Sequence, residues 1–325
     1  MRNIFQQILL LFILIGLFFS CEKTISYDTS NFEKKMAVDA LVENGHVKLF
    51  LSQNRSTLSK DTVIAVENAE VYINNIKIGE NEKDNHQYTH VLAEVKPGDV
   101  LNLSVYSDGF QSLAAQAIMP QRPIFKIVSS KIVHAKDFLW YDEYVEFTIQ
   151  IDENEINTPD YYIIELAKTK FANDEYYDTS TGLWDTTLKK SRFDVVFNTK
   201  DNVAELISHG GLDFRLNKTE FTLEDDAVFP KAIIISDKTF DGKTKKITFM
   251  TDYDFHYDFF EFRVSAINQG YYEFIQSVAA YNFNSGMFNE PIRIKSNING
   301  GFGYFGIKTT VTDSIKISDI KYENN

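Results

Sequence analysis

The chain has 325 residues, of which 33 are Lys or Arg and 46 are Asp or Glu, giving a net charge of −13. That balance argues against nucleic acid as a partner and against broad electrostatic adhesion to anionic lipid, since both would be repelled. Cys21 is the only cysteine, so the folded part has no intramolecular disulfide, no cysteine-based zinc site and no cysteine nucleophile, and its stability must come from apolar burial.

Arg2 is the only charge in the first twenty residues, where Ile8 to Phe19 is an unbroken apolar run closed by Ser20-Cys21. A run of about a dozen residues suits the core of a signal peptide and falls short of the ~20 that span a bilayer as a helix. A small residue followed by cysteine, with Leu17, Phe18 and Phe19 before it, resembles the lipobox of bacterial lipoproteins, whose thiol is lipidated before the leader is cleaved. Phe18 departs from that pattern, which prefers Leu, Val or Ile at its place. The expectation is a lipoprotein signal peptide at 1–20 and lipidated Cys21 with a polar tether at 21–35. The alternative is an ordinary secretory signal with an incidental cysteine.

From Met36 the pattern changes to alternation. Ala37–Val42 and His46–Leu51 flank Glu43-Asn44-Gly45, which predicts a hairpin with glycine at its turn. Strands are expected next at Ala69–Ile73, Gln87–Leu92, Val100–Tyr106 and Ser112–Ile118, with turn signals at Lys96-Pro97-Gly98-Asp99 and Ser107-Asp108-Gly109. Short strands at this spacing, with no helical stretch, predict a β-sandwich over 36–120. The prolines Pro120 and Pro123 then interrupt the pattern and mark a boundary.

Residues 121–325 read as a larger β-rich domain. Strands are expected at Ile124–Val133, Tyr144–Ile151, Tyr161–Leu166, Phe193–Phe197, Ala232–Ile235, Lys246–Met250 and Phe259–Ser265, with long connections at 171–190 and 199–230. Gly270–Tyr281 places Tyr271, Phe274, Ile275 and Val278 on one face at helical spacing, which predicts a short helix packed across a sheet. The segment Gly300–Gly306 reads as close backbone turns with aromatics between them, ahead of a last strand at Lys308–Val311.

The chain carries none of the motifs that open a hydrolase, zinc-protease, P-loop or dinucleotide site. If Thr251–Phe259 is extended, its period of two puts Asp252, Asp254, His256 and Asp258 on one side and four aromatics on the other. Such a face can meet a cation, but residues two apart diverge along a strand, so a wet face over an aromatic core is the preferred reading and no metal or cofactor is assigned. Asp174, Glu175 and Asp178 are the other carboxylates on which an enzyme reading would rest. Trp140, Tyr141, Tyr176, Tyr177 and Trp184 sit in or beside polar segments, a composition suited to stacking on a ligand or docking a partner. Ordinary core packing is the competing account for them. The remaining histidines, His46, His86, His90, His134 and His209, are scattered without an obvious partner.

Four stretches together resemble a lipoprotein family of the Bacteroidota catalogued as domain of unknown function 4249. These are the lipobox followed by Glu22-Lys23-Thr24-Ile25-Ser26-Tyr27-Asp28, the first strand at Ala37–Ala40, Ser236–Lys243, and Glu290–Phe305 after the paired Tyr271-Tyr272. Lys295, Phe302 and Tyr304 depart from the family's ending, which has Tyr, Leu and Ile there. The resemblance implies an immunoglobulin- or transthyretin-like sandwich ahead of a larger β-rich domain. It also implies an outer-membrane lipoprotein, often encoded beside TonB-dependent receptors, and it carries over no catalytic residues. The expected function is therefore a non-enzymatic accessory or binding protein, lipid-anchored through Cys21 in the outer membrane, facing the periplasm or the cell surface. Its expected partner is a TonB-dependent β-barrel transporter engaged in nutrient uptake. The alternative is a structural or assembly component of an envelope complex.

Overall fold

A computed structural model describes residues 33–54, 64–79, 87–134, 143–152, 160–178, 183–194, 198–199, 204–207, 232–237, 243–283 and 293–323. Cys21, Trp140 and Tyr141 lie outside them, as do His86, His209, residues 195–197 and most of 199–230. The first part holds β1 (Met36–Glu43), β2 (His46–Gln53), β3 (Ile64–Ala65), β4 (Glu70–Ile73), β5 (Ile76–Ile78), β6 (Gln87–Val91), β7 (Val100–Tyr106) and β8 (Leu113–Ile118). Beyond the prolines come β9 (Ile124–His134), β10 (Glu143–Asp152), β11 (Tyr161–Asp178), β12 (Leu183–Asp194), β13 (Asn198–Thr199) and β14 (Ala204–Ile207). The remainder is β15 (Ala232–Ser236), β16 (Lys245–Asp252), β17 (Phe259–Ile267), helix α1 (Gln269–Phe283), β18 (Phe302–Lys316), a 3-10 turn at Ile317–Asp319 and β19 (Lys321–Tyr322).

The fold is mainly β, with sandwich-like sheets and one helix near the C-terminus. A ten-stranded sheet runs in the order β14-β15-β11-β17-β18-β1-β2-β3, with β12 added to β11 and β6 to β2. The β1–β2 hairpin turns through Asn44 and Gly45, both at positive φ (48° and 84°), the geometry that matches the twist of the flanking strands. In β1 burial alternates strictly, so Val38, Ala40 and Val42 meet Val71, Ile73, Leu103, Val105 and Leu113 of the four-stranded sheet β5-β4-β7-β8 in one core.

Farther along the large sheet, Tyr162, Ile164, Phe260, Phe262 and Val264 meet Val145, Phe147, Ile149 and Phe249 of the five-stranded sheet β13-β16-β10-β9-β19. Phe147 is the hub of that core, edge-on to Phe260 and Phe262 at 5.0 Å from each. The opposite face of the large sheet receives α1 through Tyr271, Phe274, Ile275 and Val278, which pack on Tyr161, Ile163, Ile234, Ile267 and Tyr304. Tyr271 stacks on Tyr304 at 5.1 Å and lies over Gly306, where a Cβ would stand 2.8 Å from the ring.

Two segments differ from the sequence reading. Gly301–Gly306 does not form a run of turns. From Phe302 it is already β18, lying parallel to β1 with Ala37 beside Phe302 and Glu43 beside Lys308. The glycines there give backbone clearance: at Gly303, whose φ is +104°, a Cβ would fall 1.8 Å from the Val38 carbonyl oxygen. The same strand then pairs antiparallel with β17 from Lys308 to Lys316, so the end of the chain joins the sheet of the first sandwich to that of the second.

Residues 171–190 are likewise not a loose connection. Ala167–Asp178 pairs with Leu183–Asp194 in an unbroken antiparallel ladder. The segment shows no hydrophobic period in its sequence, yet its backbone groups are satisfied by the partner strand.

Candidate partner interface

Strand β11 shares its register with β17 only from Tyr161 to Thr169 and with β15 only from Tyr161 to Glu165. Past Thr169, among the described residues, its ladder partner is β12 alone, so β11 and β12 leave the sheet as a two-stranded arm. Tyr177 and Trp184 are register partners one step from its tip, and Tyr176 is opposite Asp185. Three of the five aromatic candidates thus fall at register positions near the end of one hairpin.

The arm's base is apolar and exposed. Phe171, Phe193, Leu188 and Phe255 are 39%, 46%, 69% and 72% accessible. Phe171 packs edge-on to Phe259 at 5.9 Å, and Phe193 edge-on to Tyr257 at 5.3 Å. Phe171 pairs in register with Lys190 and Phe193 with Lys168, so the two rings stand on opposite faces of the ribbon, each an exposed ring over a half-buried one.

Charges brace that base. Glu261 accepts from Lys190 and, at 3.2 Å, from Arg192. Burial pushes its carboxyl up, and the hydrogen bond and charge of Lys190, with those of Arg192, outweigh this and hold it below the usual carboxylate range. On the other face Lys168, only 3% accessible, pairs with Asp252 and stands 5.6 Å from the Tyr257 ring centre and 5.8 Å from that of Phe260.

The proposed cation face does not exist as an extended face. β16 ends at Asp252 and the chain turns through Phe255 and His256. Asp252 is taken by Lys168. Asp254 closes its own turn, accepting from the His256 amide at 2.9 Å and meeting His256 Nδ1 at 2.7 Å; burial raises its carboxyl and these contacts lower it further, to a net downward shift. Asp258 caps the open edge of β11, accepting from the Phe171 amide at 2.6 Å while its own amide donates to the Thr169 carbonyl at 2.8 Å. A turn that must satisfy three separate partners spreads its carboxylates apart. Among the described residues no group of three or more His, Cys, Asp or Glu is placed to hold a metal ion.

A second charged cluster lies beyond the N-terminal end of α1, on the helix-bearing face of the large sheet. Glu43 meets Arg263 Nη2 at 2.5 Å and the Thr310 hydroxyl at 2.6 Å, and Lys308 lies 3.6 Å from Glu43 and 3.2 Å from Glu165. A depression of about 580 Å³ opens beside it, with His46, Lys48 and His90 at its rim. These ion pairs tie β1, β18, β17 and β11 together, and their acids and bases are spent on one another.

The family model described as Domain of unknown function (DUF4249) matches residues 22–314. The chain belongs to that family. No curated protein and no solved structure matches it. Among the described residues of this DUF4249 member, no helix is long and apolar enough to cross a membrane.

Sequence reasoning did not single out the exposed Phe171, Leu188, Phe193 and Phe255, and placed the aromatic tip in a loop. The available signal was the pair of Thr- and aromatic-containing runs on either side of Thr179-Ser180-Thr181-Gly182. That is the outline of a hairpin with a four-residue loop.

Proposed function

We propose that the chain is a non-enzymatic, lipid-anchored binding subunit of the bacterial outer membrane that holds its β11–β12 arm toward a protein partner. A TonB-dependent β-barrel transporter in nutrient uptake is the partner we favour. The observation that carries this reading is the stagger of the large sheet. Ala37 lies beside Phe302, Lys308 beside Ile267, and Ile267 beside Tyr161, so β1, β18 and β11 point the same way and each begins or continues farther along. Asp178 therefore stands about two dozen residues of strand beyond Met36, roughly 80 Å on a straight ribbon at ~3.3 Å per residue.

A tether from Cys21 enters at the Met36 end, and Asn54 fixes that entrance by accepting from the Lys35 amide at 2.8 Å and donating to the Glu33 carbonyl at 3.0 Å. The aromatic arm is at the far end. Anchored beside a barrel, an arm of that reach extends across the loops at the barrel's mouth. Affinity purification of tagged chain from detergent-solubilised outer membrane tests this. Co-purification of a β-barrel transporter that is lost when Tyr177 and Trp184 are both replaced by Ser is the expected result; recovery of the chain without any barrel counts against it.

A second reading, an assembly or structural component, is favoured by the unbroken ten-stranded sheet, which makes a stiff spacer. Gene deletion separates the two: a growth defect on one nutrient supports uptake, and a general envelope defect supports assembly.

A further inference from the structure

The end of the molecule opposite the arm has a surface of its own. α1 begins beside Ile307, where Asn268 brackets that residue's backbone, and its next turns stack on Tyr304 through Tyr271 and Phe274. The helix therefore starts level with Ile307 and passes Tyr304 toward the Phe302 end of β18, antiparallel to that half of the strand. Segment 293–298 returns along it, with the Lys295 amide donating to Ser277 Oγ at 2.9 Å and Asn297 bracketing Phe305.

Three large side chains stay open to solvent there: Phe302 at 47%, Ile294 at 42% and Tyr281 at 49%. Around them the described residues include Lys34, Lys35, Arg293 and Lys295, against the carboxylates Glu33, Asp39 and Glu273, with Lys35 paired to Glu33 at 3.0 Å and Lys295 to Glu273 at 3.3 Å. In a chain of net charge −13 the described residues here carry a slight excess of base, with Lys34 and Arg293 outside those two ion pairs.

We infer that this end is the membrane-facing surface of the protein, with Phe302, Ile294 and Tyr281 seated at the headgroup level of the lipid bilayer and the lysines and arginine over its anionic phosphates. The inference rests on the lipid-anchor reading of Cys21. Eleven residues separate Cys21 from Glu33, and a chain of that length spans at most about 40 Å fully extended. The Met36 end is therefore the one held near the lipid. Amphipathic rings and long basic side chains are the groups that settle at a membrane interface, and a basic patch beside a lipid anchor adds to its hold on an anionic surface. The overall acidic charge keeps the rest of the molecule off that surface.

The test uses the full chain, processed and purified from membranes and reconstituted in vesicles of three parts phosphatidylethanolamine to one part phosphatidylglycerol, containing nitroxide-headgroup lipid. Because Cys21 is the only cysteine, Phe302→Cys, Ile294→Cys and, on the arm, Phe171→Cys can each be labelled with one thiol-reactive fluorophore. The expected result is at least threefold stronger quenching at 302 and 294 than at 171, with no label entering the wild-type chain because lipid occupies its thiol. Ile294 lies in a segment outside the strands, so it reports even if the strand residue 302 tolerates no change. Equal quenching at all three positions, or stronger quenching at 171, in a chain that refuses label at Cys21 overturns this orientation and leaves the anchor standing. Label entering the wild-type chain overturns both.

Discussion

Gly303 lies directly against Val38: a side-chain carbon at position 303 would stand 1.8 Å from the Val38 carbonyl oxygen, and the residue's φ is +104°. This is the point at which the returning C-terminal strand docks beside the first strand. Replacement by alanine must move one strand or strain the other. Gly303→Ala is expected to cost about 3 kcal/mol or more, whereas Gly79→Ala, with nothing within 4 Å of its added carbon, should stay within about 0.5 kcal/mol. Urea unfolding of the two variants checks the pair, and equal losses would contradict the close approach.

The second core depends on Phe147, fully buried and edge-on to Phe260 and Phe262. Phe147→Ala should lose about 3–5 kcal/mol through lost burial and a residual cavity. Phe255 is exposed and stacked only on His256, at 4.2 Å among the described contacts, so Phe255→Ala should change stability by no more than about 0.5 kcal/mol. A large loss from Phe255→Ala would mean that the turn is packed rather than presented.

The arm should be separable from the body. Phe171 and Lys190 are register partners, so replacing residues 172–189 with Asn-Gly leaves a short hairpin closed by a favourable two-residue turn. The shortened chain is expected to melt within about 4 °C of the full one, a difference of roughly 1 kcal/mol for a chain of this size. Its partner recovery should fall to background. A body that no longer folds would show that the arm is part of the core.

Acid should loosen the join between the two halves of the large sheet. Burial pushes the Glu43 carboxyl up, but Lys308, the Thr310 hydroxyl and Arg263 together hold it below its ordinary value of 4.5. A carboxyl whose folded value is depressed adds stability above its unfolded value and loses it as pH falls through the folded one. Wild type should therefore melt well above Glu43→Gln at pH 7, with the gap closing as the pH drops below about 4.5 toward 3. A gap that stays constant over that range would remove Glu43 as the titrating group.

The parts legible in the sequence are those with one wet and one dry face. β1, β7 and β8 alternate because each buries every second residue in one core, and α1 shows its buried stripe through Tyr271, Phe274, Ile275 and Val278. The arm was not legible because past Thr169, among the described residues, its ladder runs to β12 alone, and Lys170–Asp178 and Leu183–Lys190 carry no period of hydrophobic residues. The stretch Asp252–Asp258 misled for the opposite reason: its alternation is real in the letters, but the chain turns at Phe255 and His256, and each carboxylate answers a different local need. The long-range pairing of β18 with β1 leaves little local trace beyond its glycines, since parallel strands joined by most of the chain share no turn.

The most direct measurement is site-specific photo-crosslinking in intact cells that make the full chain, with a benzophenone amino acid placed singly at Trp184, Phe171 or Phe302. A discrete protein adduct the mass of a β-barrel transporter from positions 184 and 171, and none from 302, is the predicted result. Adducts from 302 alone, or no protein adduct from either arm position, would contradict a partner held at the arm.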